Sequence, residues 1–356
     1  MSPQLRSVTE AGLQAVREKS YPWEVNPPDF FTASEHLRGL FASVVGGDRD
    51  GVALIPAVSY GVGIATANTR LSPGDRVIVL AEQFPSNVYP WQVTAEAAGA
   101  KMITVPRPAD FDWTAAILEA IDERTAVVAT PNIHWTDGSL VDVAAVGAAA
   151  RAAGATFVVD ATQSLGALPF DVTTVQPDYV IGGGYKTLLG PYSLGYMWVA
   201  EEQRLGMPLE HNWITREGSE DFGGLVDYKS DYQPGARRFD VGERSNFVLV
   251  PMATAALTQI LAWGIPAVAA AVSQLTAAAE TAATDIGLLP IPAARRGPNL
   301  MGVRVPGGPA GDLAKRLAAD GIYVSIRGDS IRIAPHLHNE LADIERLFEA
   351  LAGLIQ

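Results

Sequence analysis

Short apolar runs alternate with longer alanine-rich segments between residues 51 and 200. The short runs are rich in β-branched residues, and several are apolar throughout, as strands buried on both faces of a sheet should be. The alanine-rich segments have helical spacing. We predict strands over residues 51–57, 76–80, 101–105, 126–129, 156–159, 179–182 and 195–199, and helices over residues 61–68, 89–98, 113–120 and 141–153. This alternation predicts an α/β domain with a mainly parallel, seven-stranded sheet.

The pattern changes twice after residue 200. Residues 201–245 lose the alternation, so we predict an irregular excursion of the kind that often covers active sites. Residues 245–279 carry no charge and predict two helices. Beyond them the pattern predicts a small α+β domain, with strands over residues 300–305, 322–326 and 330–333 and helices over residues 311–319 and 339–354. We therefore predict a large domain over residues 20–245 and a small domain formed by residues 1–19 and 246–356.

The uncharged stretch also has the length of a membrane span. Gly264-Ile265-Pro266 interrupts it, and Gln259, Ser273 and Gln274 add polar positions, so we predict two core helices instead. The N-terminal sequence lacks the basic start and apolar run of a signal peptide. We expect neither export nor a membrane partner.

Composition narrows the functional classes. The chain has 356 residues, 48% of them hydrophobic, and a formal net charge of −13 without basic clusters, so we expect no nucleic-acid partner. It contains no cysteine, which excludes disulfides, thiolate metal sites and a cysteine nucleophile and favours a cytoplasmic location. His336 and His338 are two residues apart without paired acids, so we expect no metal site.

The predicted strand ends carry the candidate chemistry, because ligands collect at the carboxyl edge of an α/β sheet. The segment that contains Val58 and Ser59 leaves a strand and opens a helix, which suits an anion, although Ser59 also fits an ordinary N-cap. Asp160 ends an apolar strand, where an aspartate is otherwise a common turn former. Lys186 is the single charged residue between residues 179 and 200.

A lysine in such surroundings has a specific chemistry. Burial lowers the pKa of a lysine and leaves a neutral amine able to attack a carbonyl, although a lysine that reaches solvent along its stem is the alternative for Lys186. An anion site, a carboxylate and this lysine together provide one partner each for the phosphate, ring nitrogen and aldehyde of pyridoxal phosphate. Phe84 follows another strand and would stack on an aromatic cofactor, or else pack in the core.

These segments resemble the class V aminotransferase group of fold-type I pyridoxal-phosphate enzymes, which includes kynureninases, cysteine desulfurases, related C–S lyases and isopenicillin epimerases. The resemblance covers nearly the whole chain. Asp160-Ala161-Thr162-Gln163-Ser164 is similar to the family's Asp-x-x-Gln strand end. This implies that Asp160 pairs with the pyridinium nitrogen and that Gln163 donates a hydrogen bond to the phenolic oxygen.

Three further segments carry the resemblance. Tyr185-Lys186 is similar to the kynureninase lysine segment, which implies Lys186 as the Schiff-base residue and Tyr185 as a phosphate ligand. Phe84-Pro85 with Tyr89 resembles the kynureninase stacking segment. The segments over residues 235–242 and 332–339 resemble two more family motifs, and the second implies that Arg332 clamps the substrate carboxylate. The resemblance further implies a small-molecule amino acid substrate and a homodimer with shared active sites.

The chain departs from the family pattern at three places. His134-Trp135 stands where relatives commonly have a small polar residue near the phenolic oxygen, so both side chains are candidate cofactor-binding residues that reshape the pocket. Gly183 replaces a usual Ser or Thr, which leaves Ser59 and Tyr185, with the 243–245 segment of a neighbouring subunit, to bind the phosphate. The lack of cysteine excludes the persulfide chemistry of the family's desulfurases.

The expected function is therefore that of a pyridoxal-phosphate enzyme. We expect an aminotransferase that acts on a small-molecule amino acid through a Schiff base on Lys186. The alternative is a C–S or C–C lyase, similar to a cysteine-conjugate lyase or a kynureninase, without a catalytic cysteine. The remote alternative is a non-catalytic α/β protein that binds a small anion at Ser59.

Overall fold

The computed structural model describes residues 2–354. The α-helices of this part of the chain are α1 (Arg6–Glu18), α2 (Thr32–Val45), α3 (Val58–Ala67), α4 (Tyr89–Ala98), α5 (Trp113–Ala120), α6 (Val143–Ala152), α7 (Val172–Val175), α8 (Leu249–Trp263), α9 (Ile265–Asp285), α10 (Leu313–Ala319) and α11 (Leu341–Leu354). The strands are β1 (Val52–Ile55), β2 (Arg76–Leu80), β3 (Lys101–Val105), β4 (Thr125–Pro131), β5 (Thr156–Asp160), β6 (Tyr179–Gly183), β7 (Gly195–Val199), β8 (Leu289–Pro290), β9 (Met301–Arg304), β10 (Ser325–Arg327) and β11 (Ser330–Ile333).

The large sheet has seven strands in the order β1-β7-β6-β5-β4-β2-β3. Strand β7 runs antiparallel to its neighbours β1 and β6, and the other neighbouring pairs are parallel. Strands β1, β2, β4, β5 and β6 therefore all end at the same edge of the sheet. This edge brings together the segments that the sequence singled out at four strand ends, after β1, β2, β5 and β6, and adds His134-Trp135 after β4.

Two apolar layers cover the sheet. Alternate residues of β5 enter different clusters: Phe157 and Val159 pack with residues of α2, α6 and α8, whereas Val158 packs with residues of α3 and α4. Successive side chains of a strand point to opposite faces, so a strand buried on both faces must be apolar throughout. The predicted mainly parallel, seven-stranded α/β sheet is confirmed.

A smaller domain follows at the C-terminal side. Strands β8 to β11 form an antiparallel sheet in the order β10-β11-β9-β8, and α9, α10 and α11 pack on it around a separate apolar cluster. Helix α8, by contrast, packs against α1 and α2 and shares the large domain's cluster. The predicted boundary at residue 246 stays a prediction, and this packing favours a later one, between α8 and α9.

The uncharged stretch forms the two helices that the sequence predicted. Among residues 2–354, no single helix is both long and apolar enough to cross a bilayer. Only together do helices α8 and α9 reach both the length and the hydropathy that a membrane span needs, and they meet at an angle of 80°.

Most predicted elements match the structure, but α3 begins at Val58 instead of residue 61, and one strand of the small domain is shifted. The strand predicted over residues 322–326 begins at Ser325 instead. Gly321 has a left-handed φ of 73°, and the Ile322 N–H donates to Leu317 O at 3.0 Å. These residues therefore close α10 and leave the strand to start later. Helices α1 and α2 precede the alternating pattern and were not predicted.

Candidate active site

Two adjoining cavities open at the carboxyl edge of the large sheet. The inner cavity, of about 240 Å³, lies at the strand ends. Its wall contains eight of the predicted site residues: Val58, Ser59, Phe84, Trp135, Asp160, Gln163, Tyr185 and Lys186. The outer cavity, of about 740 Å³, lies between this edge and the small domain. Its wall includes Thr187, Asn299, Arg327, Arg332 and His336, and it shares Phe84, Trp135, Gln163, Tyr185 and Lys186 with the inner one.

Asp160 supplies a buried carboxylate at the base of the inner cavity. It is the last residue of β5, and it is 7% exposed. Burial raises the pKa of Asp160, whereas hydrogen bonds from Thr162 and the charge of Lys186 lower it. Its Oδ1 accepts a hydrogen bond from the Thr162 backbone N–H at 3.0 Å. The strand end thus holds an acceptor ready for a cationic partner.

Thr162 is a part of this site that sequence reasoning missed, although it lies within the quoted strand-end motif. Its Oγ1 accepts a hydrogen bond from the Gly183 N–H at 3.2 Å, which ties the end of β5 to the end of β6. A threonine shortly after a strand-end aspartate is the sequence signal for this role, because its backbone N–H and its hydroxyl can both form hydrogen bonds to neighbouring groups. Thr162 therefore fixes Asp160 relative to the turn that carries Lys186.

Lys186 lies in the turn between β6 and β7. Its Nζ is 5.4 Å from the centre of the Phe84 ring and 5.8 Å from that of the Tyr185 ring. Burial and, to a smaller extent, the charge of Arg332 lower the pKa of Lys186 to about 8, against the opposing charge of Asp160. A neutral amine is therefore accessible near neutral pH, as an attacking lysine requires.

The first turn of α3 forms another wall of the inner cavity. The helix begins at Val58, and the Tyr60 N–H donates to Ala57 O at 3.1 Å. The N–H groups of Val58 and Ser59 precede the first hydrogen bond of the helix, so they have no acceptor within the helix. Both residues line the inner cavity, so this helix start suits an anion there.

Tyr185 lies beside a second tyrosine that the sequence did not single out. The rings of Tyr185 and Tyr192 are 4.6 Å apart, and Tyr192 and Ser193 also line the inner cavity. The packing explains why residue 183 is glycine and not Ser or Thr. An added Cβ would lie 3.0 Å from Tyr185 Cε1 and 3.3 Å from Thr162 Cγ2. The Tyr185 ring occupies the room that a side chain at residue 183 would need.

Phe84 and Trp135 form the aromatic wall between the two cavities. Their ring centroids are 5.5 Å apart at an interplanar angle of 82°. The Trp135 Nε1–H donates to Glu82 O at 2.6 Å, which fixes the indole. Gln163 is held from the small domain, because its backbone O accepts a hydrogen bond from Asn299 Nδ2 at 2.8 Å. Asn299, too, was missed by sequence reasoning.

His134 lines neither cavity, unlike the other predicted residues. Its ring stacks on Trp113 at 5.1 Å and 7°, in full burial. Nε2 donates to Ala81 O at 3.0 Å, and Nδ1 is 2.7 Å from the Thr136 hydroxyl. Burial, with the charge of Arg107, lowers the pKa of His134 to about 4. The neutral imidazole thus supports the segment behind Trp135 rather than facing a ligand.

Arg332 lies on the wall of the outer cavity. Its guanidinium carbon is 5.7 Å from the centre of the Trp135 ring, and its Nη1 is 3.4 Å from Ser325 Oγ. Burial and the charge of Arg327 lower the pKa of Arg332 to about 10. Four buried polar atoms on this wall have no partner among residues 2–354: Thr187 Oγ1, Asn299 Oδ1, Arg332 Nε and His336 Nε2. Unsatisfied buried groups that line one cavity indicate a polar ligand.

The other family motif lies away from both cavities. Asp240 is fully buried and pairs with Arg38 at 2.8 Å and with Arg244 at 2.6 Å. Arg244, which belongs to the 243–245 segment expected to reach a neighbouring subunit's phosphate, is therefore engaged within its own chain. Removing one member of such a network would leave a buried charge uncompensated, so this motif secures the excursion over residues 201–245.

Comparison with known proteins identifies the family. The aminotransferase class V family model matches residues 33–342. An uncharacterized aminotransferase of Bacillus subtilis strain 168, YcbU, is 26% identical over 337 residues, which cover 90% of this chain and 83% of that protein. A cysteine desulfurase of Pectobacterium atrosepticum is 28% identical over 279 residues, which cover 72% of this chain and 64% of the desulfurase.

Solved structures agree with this at the level of the fold. The cysteine desulfurase of Thermococcus onnurineus NA1 superposes with a TM-score of 0.86 at 20% identity, covering 99% of this chain and 92% of its own. The cystine C–S lyase C-DES, in complex with its product cysteine persulfide, gives a TM-score of 0.87 at 19% identity over 99% of this chain and 95% of its own. The predicted fold-type I architecture is confirmed. Because the family model spans most of the sequence, the chain belongs to the class V aminotransferase family and is a pyridoxal-phosphate-dependent enzyme.

Proposed function

We propose that pyridoxal phosphate binds in the inner cavity, on the residues that the sequence predicted. The α3 start with Ser59 suits the phosphate, Asp160 suits a protonated ring nitrogen, and Lys186 suits the aldehyde. Unit charges about 4 Å apart interact by about 4 kcal/mol at an effective dielectric near 20. Asp160, whose pKa burial alone would raise, gains its missing cationic partner in this way.

The bound cofactor supplies an electron sink that makes the α-proton of an attached amino acid removable. Lys186 holds the cofactor and then acts as the base for that proton, because the lowered pKa leaves part of its amine neutral near pH 7. Phe84 and Trp135 place two aromatic rings beside Lys186 where the two cavities meet. Arg332 orients the substrate by its carboxylate, since a guanidinium fork binds a carboxylate through two parallel hydrogen bonds.

We propose transamination of a small-molecule amino acid as the reaction. The observation that carries the proposal is the line from buried Asp160 through Lys186 to the unpartnered Nε of Arg332. This arrangement offers a place for a cofactor, a proton acceptor and a carboxylate ligand in two adjoining cavities that share Lys186. The relative YcbU, matched over most of its length, is named an aminotransferase.

Lyase chemistry is the second candidate, and a specific observation favours it. The fold superposes closely on the cystine C–S lyase C-DES, and the sequence is similar to cysteine desulfurases. The chain has no cysteine to accept sulfur, so a lyase built on it would release its sulfur or carbon fragment directly. Removal of the α-proton by Lys186 precedes both reactions, so the two candidates use the same residues.

The first experiment tests the cofactor site. Borohydride should fix pyridoxal phosphate to the protein, and peptide mapping should find the added mass on Lys186. Lys186→Ala should lose the adduct, whereas Lys315→Ala, which removes an exposed lysine of α10, should keep it. A fixed adduct in the Lys186→Ala protein would refute the assignment.

A second experiment separates transamination from lysis. Single amino acids, including alanine, cysteine conjugates and kynurenine, are added to the loaded enzyme, and the products are identified by mass. Conversion of the cofactor to its amine form with release of a keto acid supports transamination. Pyruvate or alanine formed from a conjugate or from kynurenine, with the cofactor regenerated, supports the lyase instead.

We infer that the enzyme acts as a cytoplasmic homodimer. Large apolar side chains are exposed in and beside the excursion: Leu205 is 82% exposed, Val226 79% and Tyr228 96%. A second copy covering this surface would bury them. Equilibrium sedimentation should give twice the monomer mass, and a monomer at micromolar concentration would contradict the inference.

A further inference from the structure

The hairpin of β10 and β11 presents two arginines on one face. Arg332 is paired with Ser325 and Arg327 with Ser330 across the antiparallel ladder, so the two arginines are diagonal neighbours on the same side. Both guanidinium groups face one indole: Arg327 lies 5.4 Å and Arg332 5.7 Å from the centre of the Trp135 ring. Two positive charges thus flank Trp135 on the wall of the outer cavity.

These two arginines, unlike the nearby Arg107, form no salt bridge with an acidic residue of the described part of the chain. Arg107 pairs with Glu82 at 2.6 Å and also with Asp137. Arg327, by contrast, donates from Nη1 to the backbone O of its neighbour Ile326, and no carboxylate of residues 2–354 forms a salt bridge with it or with Arg332. In a chain with a net charge of −13, such a pair is conspicuous.

The other charged groups of the outer cavity do not neutralise the pair. Asp343 is an acid on the wall, and its Oδ2 already accepts hydrogen bonds from Asn339 Nδ2 and the Glu340 N–H, both at 3.1 Å. Lys186 adds a further cation where the two cavities meet, and Arg346, which also lines the outer cavity, donates a hydrogen bond to the backbone O of Asp320. The wall therefore carries more positive than negative charge, because the carboxylate of Asp343 balances only part of the positive charge.

We propose that the outer cavity selects amino acids with a second anionic group, such as a side-chain carboxylate, and that Arg327 binds this group while Arg332 binds the α-carboxylate. The inference rests on the proposed function for the role of Arg332. A volume of about 740 Å³ exceeds what an α-amino acid with a small side chain fills, so there is room for a second charged group. The alternative is that both arginines bind the same carboxylate, and the experiment must distinguish these two arrangements.

Unreactive carboxylates provide the test, because their binding is measured without any turnover. The loaded enzyme is titrated calorimetrically with glutarate and with pentanoate, which have the same chain length and differ by one carboxylate. We expect glutarate to bind about tenfold more tightly than pentanoate. Arg327→Gln should remove this preference and leave pentanoate binding unchanged, and Arg327→Lys should retain part of it.

The matched control is Arg316→Gln, which removes the same charge from an exposed position of α10 outside both cavities. It should keep the full preference for glutarate. The inference is overturned if glutarate has no advantage in the unmodified enzyme, if Arg327→Gln keeps the advantage, or if Arg327→Gln weakens both ligands equally, as a shared clamp predicts. Adduct formation on Lys186 is scored on the same proteins, so a failed cofactor assignment and a failed anion preference are seen separately.

Discussion

The inner and outer cavities share Phe84, Trp135 and Lys186, but different kinds of structure build them. In the inner cavity the backbone does most of the positioning: the turn that carries Lys186 is closed by bonds from Leu189 N to Lys186 O at 2.9 Å and from Gly190 N to Gly184 O at 2.8 Å. In the outer cavity, side chains from a hairpin, a loop and a helix converge across the interdomain cleft.

Their electrostatics differ in the same way. The inner cavity pairs an acid with a base, since Asp160 and Lys186 act on each other's pKa. The outer cavity has neighbouring cations, and Arg327 lowers the pKa of Arg332. Under the functions proposed above, a cationic group of the cofactor would pair with the acid of the inner cavity, whereas the outer cavity would select among anionic substrates. Variants in the two regions should therefore fail in different ways.

The largest effect is expected in the inner cavity from Asp160→Asn. The change keeps the shape of the side chain but removes the charge that faces a protonated ring nitrogen. An interaction of about 4 kcal/mol corresponds to a loss of cofactor affinity of roughly a hundred- to a thousandfold. Fluorescence titration with pyridoxal phosphate measures this. Asp285→Asn, at the exposed end of α9, is the control, and equal affinity in the two variants would contradict the role of Asp160.

Arg332→Gln should leave the inner cavity intact and weaken the outer one. We expect amino acid binding to weaken by about 1.5–3 kcal/mol, roughly 10- to 150-fold, because a charged hydrogen-bonding partner is lost. Cofactor affinity should stay within about twofold. A titration of the loaded enzyme with a substrate analogue measures the first quantity and the cofactor titration the second. Loss of both together would mean that the two regions are not separable.

Charges from both cavities act on the pKa of Lys186, and changing them should have a smaller effect, on the pH dependence of adduct formation. The neutral amine attacks the cofactor aldehyde, so the rate of adduct formation should rise with pH around a midpoint of about 8. Arg332→Gln removes a nearby cation and should raise this midpoint, whereas Asp160→Asn removes the carboxylate that stabilises the charged amine and should lower it. Stopped-flow absorbance across pH 6–10 gives the midpoints. Shifts in the opposite directions would show that these charges do not act on Lys186.

The sequence predicted the inner cavity better than the outer one, for a physical reason. Asp160 and Lys186 each follow an apolar strand, and the parallel order of the sheet brings such ends together. Asn299 contacts Gln163 from 136 positions away, so no local pattern connects them. Arg327 was detectable in principle, because the alternation of the β10–β11 hairpin puts it on the same face as Arg332.

His134 and Trp135 mark the limit of such reasoning at the strand ends. The sequence treated both as candidate cofactor-binding residues, and the structure puts Trp135 on the cavity wall and His134 behind it. The two residues lie in the turn that follows β4, where only Trp135 lines the inner cavity. Which one does so depends on the stacking of His134 on Trp113, a contact that lies outside the segment.

The smallest effect is expected from Gly183→Ala, which tests how tightly the inner cavity is packed. The new Cβ would lie 3.0 Å from Tyr185 Cε1, so the tyrosine ring must move. Overpacking of this kind costs about 1–3 kcal/mol of unfolding free energy, and a displaced Tyr185 should weaken cofactor binding by about fivefold. Gly311→Ala is the control, because a Cβ there meets nothing within 4 Å. Denaturant unfolding and the cofactor titration measure the two effects. If cofactor affinity were unchanged while stability fell, Tyr185 would pack beside the cofactor site without binding its phosphate, and Ser59 with the start of α3 would hold that phosphate alone.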